Sequence, residues 1–115
     1  MKLTMESRGA ITVISISGRV DAMTAMELEE ALMASYGNGN RKFLLDCPNL
    51  TYISSAGLRI LLKVYKQIKP MNGIIALSTL QPHIADIFNL TGFNRILPIH
   101  DTLASGLGAM TKPPQ

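Results

Sequence analysis

Residues 49–62 read NLTYISSAGLRILL, a polar, β-favouring run that passes through Ser54, Ser55, Ala56 and Gly57 into an apolar repeat. The period changes at the serines. Extended character ends at Tyr52-Ile53, and beyond it Leu58, Leu61, Leu62, Tyr65 and Ile68 recur at helical spacing, which predicts a helix over about residues 55–69. A strand that turns through small residues into a helix is half of a β-α-β unit, and the neighbouring segments can be read outward from it.

Upstream, Lys42 to Asp46 (KFLLD) is a short apolar strand, which Cys47-Pro48-Asn49 is expected to end. Before it, Ala25, Leu28, Ala31, Leu32 and Tyr36 predict a helix over Thr24 to Tyr36, closed by the turn residues Gly37-Asn38-Gly39-Asn40. Glu27, Glu29 and Glu30 lie near its N-terminal turns, where the helix dipole favours negative charge. Leu3 to Glu6 and Ala10 to Ser17 read as two strands joined at Arg8-Gly9. Ile11 and Val13 fall on one face of the second, and Thr12, Ile14 and Ile16 on the other, as in a strand covered on both sides.

Downstream, Pro70 to Gly73 stops the helix and Gly73 to Leu77 is a buried strand. Pro82 to Asn89 is a short helix with Ile84, Ile87 and Phe88 inward. Ile96 to Ile99 is a weak edge strand that tolerates Pro98, Thr102 to Met110 is a helix weakened by Gly106 and Gly108, and Thr111 to Gln115 is a frayed tail. The order β, β, α, β, α, β, α, β, α predicts one α/β domain over residues 1–115, with a mixed, mostly parallel sheet of four to five strands and about four helices.

At 115 residues the chain can bury its own core without disulfides or a structural metal. Cys47 is the single cysteine, and Cys47, His83 and His100 have no zinc-type spacing. No cofactor is therefore expected. Glu6, Ser7, Arg8 and Gly9 interrupt any leader-like apolar run, so a soluble, cytoplasmic protein is expected, without membrane association. The net charge is +3, and the basic excess lies after residue 50, with six Lys/Arg against two Asp/Glu. Few aromatics and no Trp make direct nucleic-acid binding a poor expectation.

In an α/β fold the loop from a strand's carboxyl end into a helix is a preferred ligand site, because the first helical amides are unpaired. A serine there can carry a phosphoryl group; it can equally be only an N-cap. Arg59, Lys63 and Lys66 follow Ser55 along one helix face as a basic line. Ser55, Asp86 and His100 occur in an order seen in hydrolases, but SSAG lacks the G-x-S-x-G elbow. The methionines are scattered and read as packing filler.

ISGRVDAMTAMELEEAL, KFLLDCPNLTYISSAGLRILLKVYKQIK and NGIIALSTLQPHIADIFNLTGFNRILPIHDT together resemble the STAS domain of bacterial anti-sigma factor antagonists, from about Leu3 to Leu107. The resemblance implies a regulatory switch and no enzyme. The unmodified protein would bind an anti-sigma factor that is a serine kinase, phosphorylation by that kinase would end the complex, and a serine/threonine phosphatase would reset it. The family motif Asp-Ser-Ser/Thr-Gly, aligned on Gly57, places the modified serine at Ser55, with Ser54 at the aspartate position as a second acceptor and Ala56 at the second hydroxyl position. It also implies that Asp21 lies on the partner surface beside Ser54, Ser55 and Gly57, and the expected surface takes in Thr24 and the basic line Arg59, Lys63 and Lys66. A constitutive scaffold or transporter-associated STAS subunit, with the serine only a cap, is the alternative.

Overall fold

Apolar side chains on both faces of one strand require cover on both sides, and the chain provides it. The computed structural model describes residues 1–111. It contains β1 (Lys2–Arg8), β2 (Ile11–Val20), α1 (Thr24–Gly37), β3 (Lys42–Ile53), α2 (Ser55–Ile68), β4 (Ile74–Ser78), α3 (Pro82–Thr91), β5 (Ile99–His100) and α4 (Leu103–Thr111), with 3-10 turns at Lys69–Met71 and Phe93–Arg95. The five strands lie side by side in chain order. β1 is antiparallel to β2, and every later neighbour is parallel.

Ile14, Ile16, Phe43, Leu45, Ile75 and Leu77 point to the face on which α1, α2 and α3 place Leu28, Leu32, Leu58, Leu61, Ile84 and Phe88. Ile11, Val13, Leu44 and Ala76 point to the other face, where Met110 of α4 covers them with Leu103 and Leu107 at the margin. The two-faced reading of Ile11–Ile16 is thus the plan of the whole sheet. Each fully buried Leu, Ile or Phe contributes roughly 1.5–3 kcal/mol, so the three-helix side carries most of the burial.

Several boundaries differ from expectation. β3 does not end at Asp46 but continues to Ile53, because β2 itself continues to Val20 and pairs with it. Two register shifts give β3 extra residues, and Pro48 stands in the first of them, where no ladder amide is demanded of it. On α2 the buried stripe is Leu58, Leu61, Val64 and Ile68, with Leu62 and Tyr65 only half-buried. The last strand is Ile99–His100; Ile96 is exposed and Leu97 is buried in the preceding turn. Thr111 belongs to α4, and the rest of the expected tail, residues 112–115, lies outside the described residues.

Asp46 holds the point where the strands part. Its Oδ1 accepts hydrogen bonds from Ser78 Oγ at 2.9 Å and Thr79 Oγ1 at 2.7 Å, and the Thr79 amide donates to the His100 carbonyl at 3.1 Å. Thr79 has φ +61°, a conformation that disfavours a β-branched residue by about 1–3 kcal/mol and needs such anchoring. Asp46→Ala strands two hydroxyls, of which Ser78 is fully buried. It is expected to lower the unfolding free energy by about 1–3 kcal/mol in a urea titration.

Candidate functional site

The extra length of β2 and β3 brings two helix entrances together. The Ser54 amide donates to the Val20 carbonyl at 2.8 Å, so the strands stay paired until the chain turns into a helix on each side. Two helix N-termini, each with a positive dipole end and unpaired amides, lie next to one another.

Asp21 closes the first. Its Oδ1 accepts from the Met23 and Thr24 amides, both at 3.0 Å, while its own amide donates to Thr24 Oγ1 at 2.9 Å. The Thr24 hydroxyl is shared between Asp21 Oδ1 at 3.1 Å and the Arg19 carbonyl at 2.9 Å. This is a reciprocal capping arrangement. The amide and hydroxyl of Thr24, in that order, hold the Asp21 carboxyl below the usual carboxylate range.

Ser54 closes the second. It is extended (φ −86°, ψ 171°), and its Oγ accepts from the Gly57 amide at 3.2 Å. Ser55, the first helical residue, is exposed, and its hydroxyl has no hydrogen-bond partner among the described residues. The paired serines therefore divide the work, one capping and one left free. Serine is among the best N-cap residues, so Ser54 needs no charge to hold this geometry.

Gly57 seats the helix. A Cβ there would lie 2.8 Å from both Ile53 Cγ1 and Val20 Cγ1, the last apolar side chains of β3 and β2. Only a bare backbone lets the first turn of α2 rest on the strand ends.

The basic line of α2 is modified by its surroundings. Lys63 Nζ forms an ion pair with Glu29 Oε2 of α1 at 2.7 Å, whereas Arg59 and Lys66 have no such partner among the described residues. Lys63 thus ties the two helices together and leaves Arg59 as the cation near Ser55. Further residues belong to this surface and were not expected. Arg19 stacks over the Tyr52 ring at 4.2 Å, and Met23 and Met26 are 81% and 61% exposed. Met26 lines a shallow groove of about 210 Å³ between α1 and α2 with Ala22, Ala56, Arg59 and Lys63. The signal for the two methionines was their place on the side of α1 opposite Ala25 and Leu28.

Other candidates are not assembled. Among the described residues no hydrogen bond joins Ser55, Asp86 and His100, and His100 lies beside α4 on the other face of the sheet. Cys47 is fully buried, and burial pushes its thiol well above the usual range. Among the described residues no cluster of His, Cys, Asp and Glu could hold a metal ion, and no helix is long and apolar enough to cross a membrane.

The family model of the STAS domain matches residues 2–106. BtrV of Bordetella bronchiseptica, named as a candidate anti-sigma factor antagonist, is 37% identical over 109 residues, covering 95% of this chain and 94% of its own. The crystal structure of an anti-sigma factor antagonist from Mycobacterium paratuberculosis has a TM-score of 0.87 at 26% identity, covering 96% of this chain and 94% of that one. The Bacillus cell fate determinant SpoIIAA has the same fold at 14% identity. Its unphosphorylated and phosphorylated forms give TM-scores of 0.75 and 0.70, covering 97% and 95% of this chain and 100% and 99% of those.

Gly57→Ala gains up to about 1 kcal/mol of helix propensity but forces overpacking against Ile53 and Val20 that costs about 1–3 kcal/mol, so a net loss of up to about 2 kcal/mol is expected in a denaturant titration. Asp21 has a lowered folded-state pKa, so its contribution is full above about pH 4 and is lost as the pH falls through the folded value. Asp21→Asn keeps a capping oxygen but no titration. Its melting temperature is expected to fall less steeply than that of the parent protein on acidification below that range.

Proposed function

The chain belongs to the STAS domain family, and we propose that it is an anti-sigma factor antagonist whose unphosphorylated form binds an anti-sigma factor serine kinase and so releases a sigma factor. Phosphorylation of Ser55 ends that complex, and a serine/threonine phosphatase restores it. The protein acts in the cytoplasm without direct contact to nucleic acid or membrane. The observation that carries this reading is the division between the serines: Ser54 fills the cap, and Ser55 presents an unbonded, exposed hydroxyl at the positive end of α2.

The chemistry asked of this chain is small. The kinase's ATP provides the phosphoryl group; the bond from Ser55 Oγ to phosphorus forms as the bond to ADP breaks, and the hydroxyl proton passes to a base on the kinase. In the reverse direction a water molecule displaces Ser55 Oγ, orthophosphate leaves, and the serine regains a proton. The first step needs an acceptor that is reachable and not already hydrogen-bonded, the second a phosphate that water can reach, and the exposed position of Ser55 suits both.

The effect on binding is electrostatic and local. A phosphoserine adds about −1.5 to −2 charge and considerable bulk. Ser55 sits one turn before Arg59, so the new phosphate attracts that guanidinium and withdraws it from an acidic partner while repelling the partner itself. The N-terminus of α2 tolerates the added anion, so the fold need not change. Asp21, Thr24, Gly57, Lys63 and Lys66 complete the proposed partner surface. Met23, Met26 and the Arg19–Tyr52 stack add apolar anchor area of the kind that dominates interface energetics.

Ser55→Asp is expected to weaken binding to the cognate kinase at least about tenfold, or about 1.4 kcal/mol, in calorimetry. Ser55→Ala is expected to bind like the parent protein and to remain bound when ATP is added. Intact mass after incubation with kinase and ATP should rise by one phosphoryl group in the parent only. Equal affinities for the two variants would refute the switch, and phosphorylation surviving in Ser55→Ala would move it to Ser54.

A further inference from the structure

β1 is a long, uncovered sheet edge. Its seven residues pair with β2 in unbroken antiparallel register, and their outer side pairs with nothing among the described residues. The opposite edge is defended: β5 has two residues and is preceded by Pro98. An edge of seven residues without proline or bulge is a template for another strand.

The side chains of β1 sort by face. Leu3 and Met5 stand opposite Ile16 and Ile14 and share the three-helix side. Leu3 packs partly buried against the core, but α1 does not reach over Met5, which is 48% exposed: a groove of about 300 Å³ remains between helix and strand, with Met5, Ala31 and Ala34 as its apolar part and Ser7, Thr12, Ser35 and Asn38 among its polar lining. Lys2, Thr4, Glu6 and Arg8 occupy the other face, with Arg8 Nε bonded to Glu6 Oε1 at 2.8 Å. The edge therefore offers unpaired backbone, an exposed methionine beside an unfilled groove on one face and a patterned row of charges on the other.

We propose that β1 pairs antiparallel with β1 of a second copy of this chain about a twofold axis at Thr4, continuing the sheet across both molecules. A twofold antiparallel pair keeps each face continuous only if opposed residue numbers sum to an even constant. A sum of eight sets Lys2 against Glu6 twice, Leu3 against Met5 twice, and Thr4 against itself. A sum of ten sets Lys2 against Arg8, and a sum of twelve sets Glu6 against Glu6. Of the registers that pair five or more residues of β1, only the first opposes unlike charges, and it also sets Leu3 of each copy against Met5 at the groove of the other. Glu6 keeps Arg8 and gains the lysine of the second copy. The contact area is small, so the dimer forms at high micromolar concentration and is sensitive to salt. Neither Ser55 nor its surroundings take part, and the proposal stands apart from the phosphorylation switch.

Sedimentation equilibrium of the full chain tests it, with circular dichroism to verify folding. The parent protein is expected to self-associate. Lys2→Glu and Glu6→Lys, each alone, oppose like charges and should be monomeric. An equimolar mixture of the two variants should associate again, because every pair opposed across positions 2 and 6 then joins a carboxylate to an ammonium. Thr4→Cys should form a covalent dimer under glutathione disulfide, since self-opposed strand residues fall within disulfide reach, while Ser7→Cys should not. Cys47 is fully buried and does not compete. A parent protein that stays monomeric, a dimer unaffected by either charge reversal, or equal crosslinking at positions 4 and 7 would each overturn the pairing.

Discussion

The structure depends on the parallel pairing of β2 with β3 being carried beyond the reach of β4. β4 ends at Ser78, opposite Asp46, yet β3 continues through Cys47–Ile53 with only β2 beside it. That extension holds because Leu50, Ile53 and Val20 are buried and because the Ser54 amide completes the ladder on Val20. Its bulges absorb Pro48 and set the register, and a slip by one residue would turn Ile53 and Leu50 outward. With the pairing in place, Asp21 and Ser54 emerge side by side and each can cap its own helix. Gly57 then lets α2 settle on the same two side chains, Val20 and Ile53, that end the ladder. The proposed switch surface is thus assembled by strand register, and its polar groups refine what the register brings together.

Much of this was legible because burial imposes periodicity. The two faces of Ile11–Ile16, the helix after Ser55 and the order of elements all follow from patterns that only the observed arrangement satisfies. What the residues concealed has physical causes. Pro48 forbids a ladder amide, but a bulge needs none, so a rule about regular strands misplaced the end of β3. Val64 and Tyr65 both suit an apolar stripe; a bulky aromatic can lie at the rim with its ring partly wet, and the fully enclosed place went to the smaller side chain. The basic line of α2 was drawn from one helix alone. Glu29 lies on another, and the Lys63–Glu29 pair could not be seen until α1 and α2 were packed. Met23 and Met26 were read as filler because methionine accepts either role, and only their position relative to Leu28 decides which.

Strand order bears on what kind of ligand this site can meet. The strands follow one another without reversal, so the three crossover helices gather on one face and no switch-point crevice opens at the strand ends. The proposed functional end is instead an open surface, where a shallow groove lies beside two helix entrances. Its carboxylate, Asp21, is held by the Met23 amide and by the amide and hydroxyl of Thr24, and among the described residues no imidazole or free carboxylate is hydrogen-bonded to Ser55. The hydroxyl is exposed to water, whereas nucleophilic catalysis is favoured in a site that excludes it. It does have accessibility, a favourable helix dipole and a cation one turn away. Those are the requirements that the proposed switch places on an acceptor another protein must reach, and the neighbouring serine fills the cap.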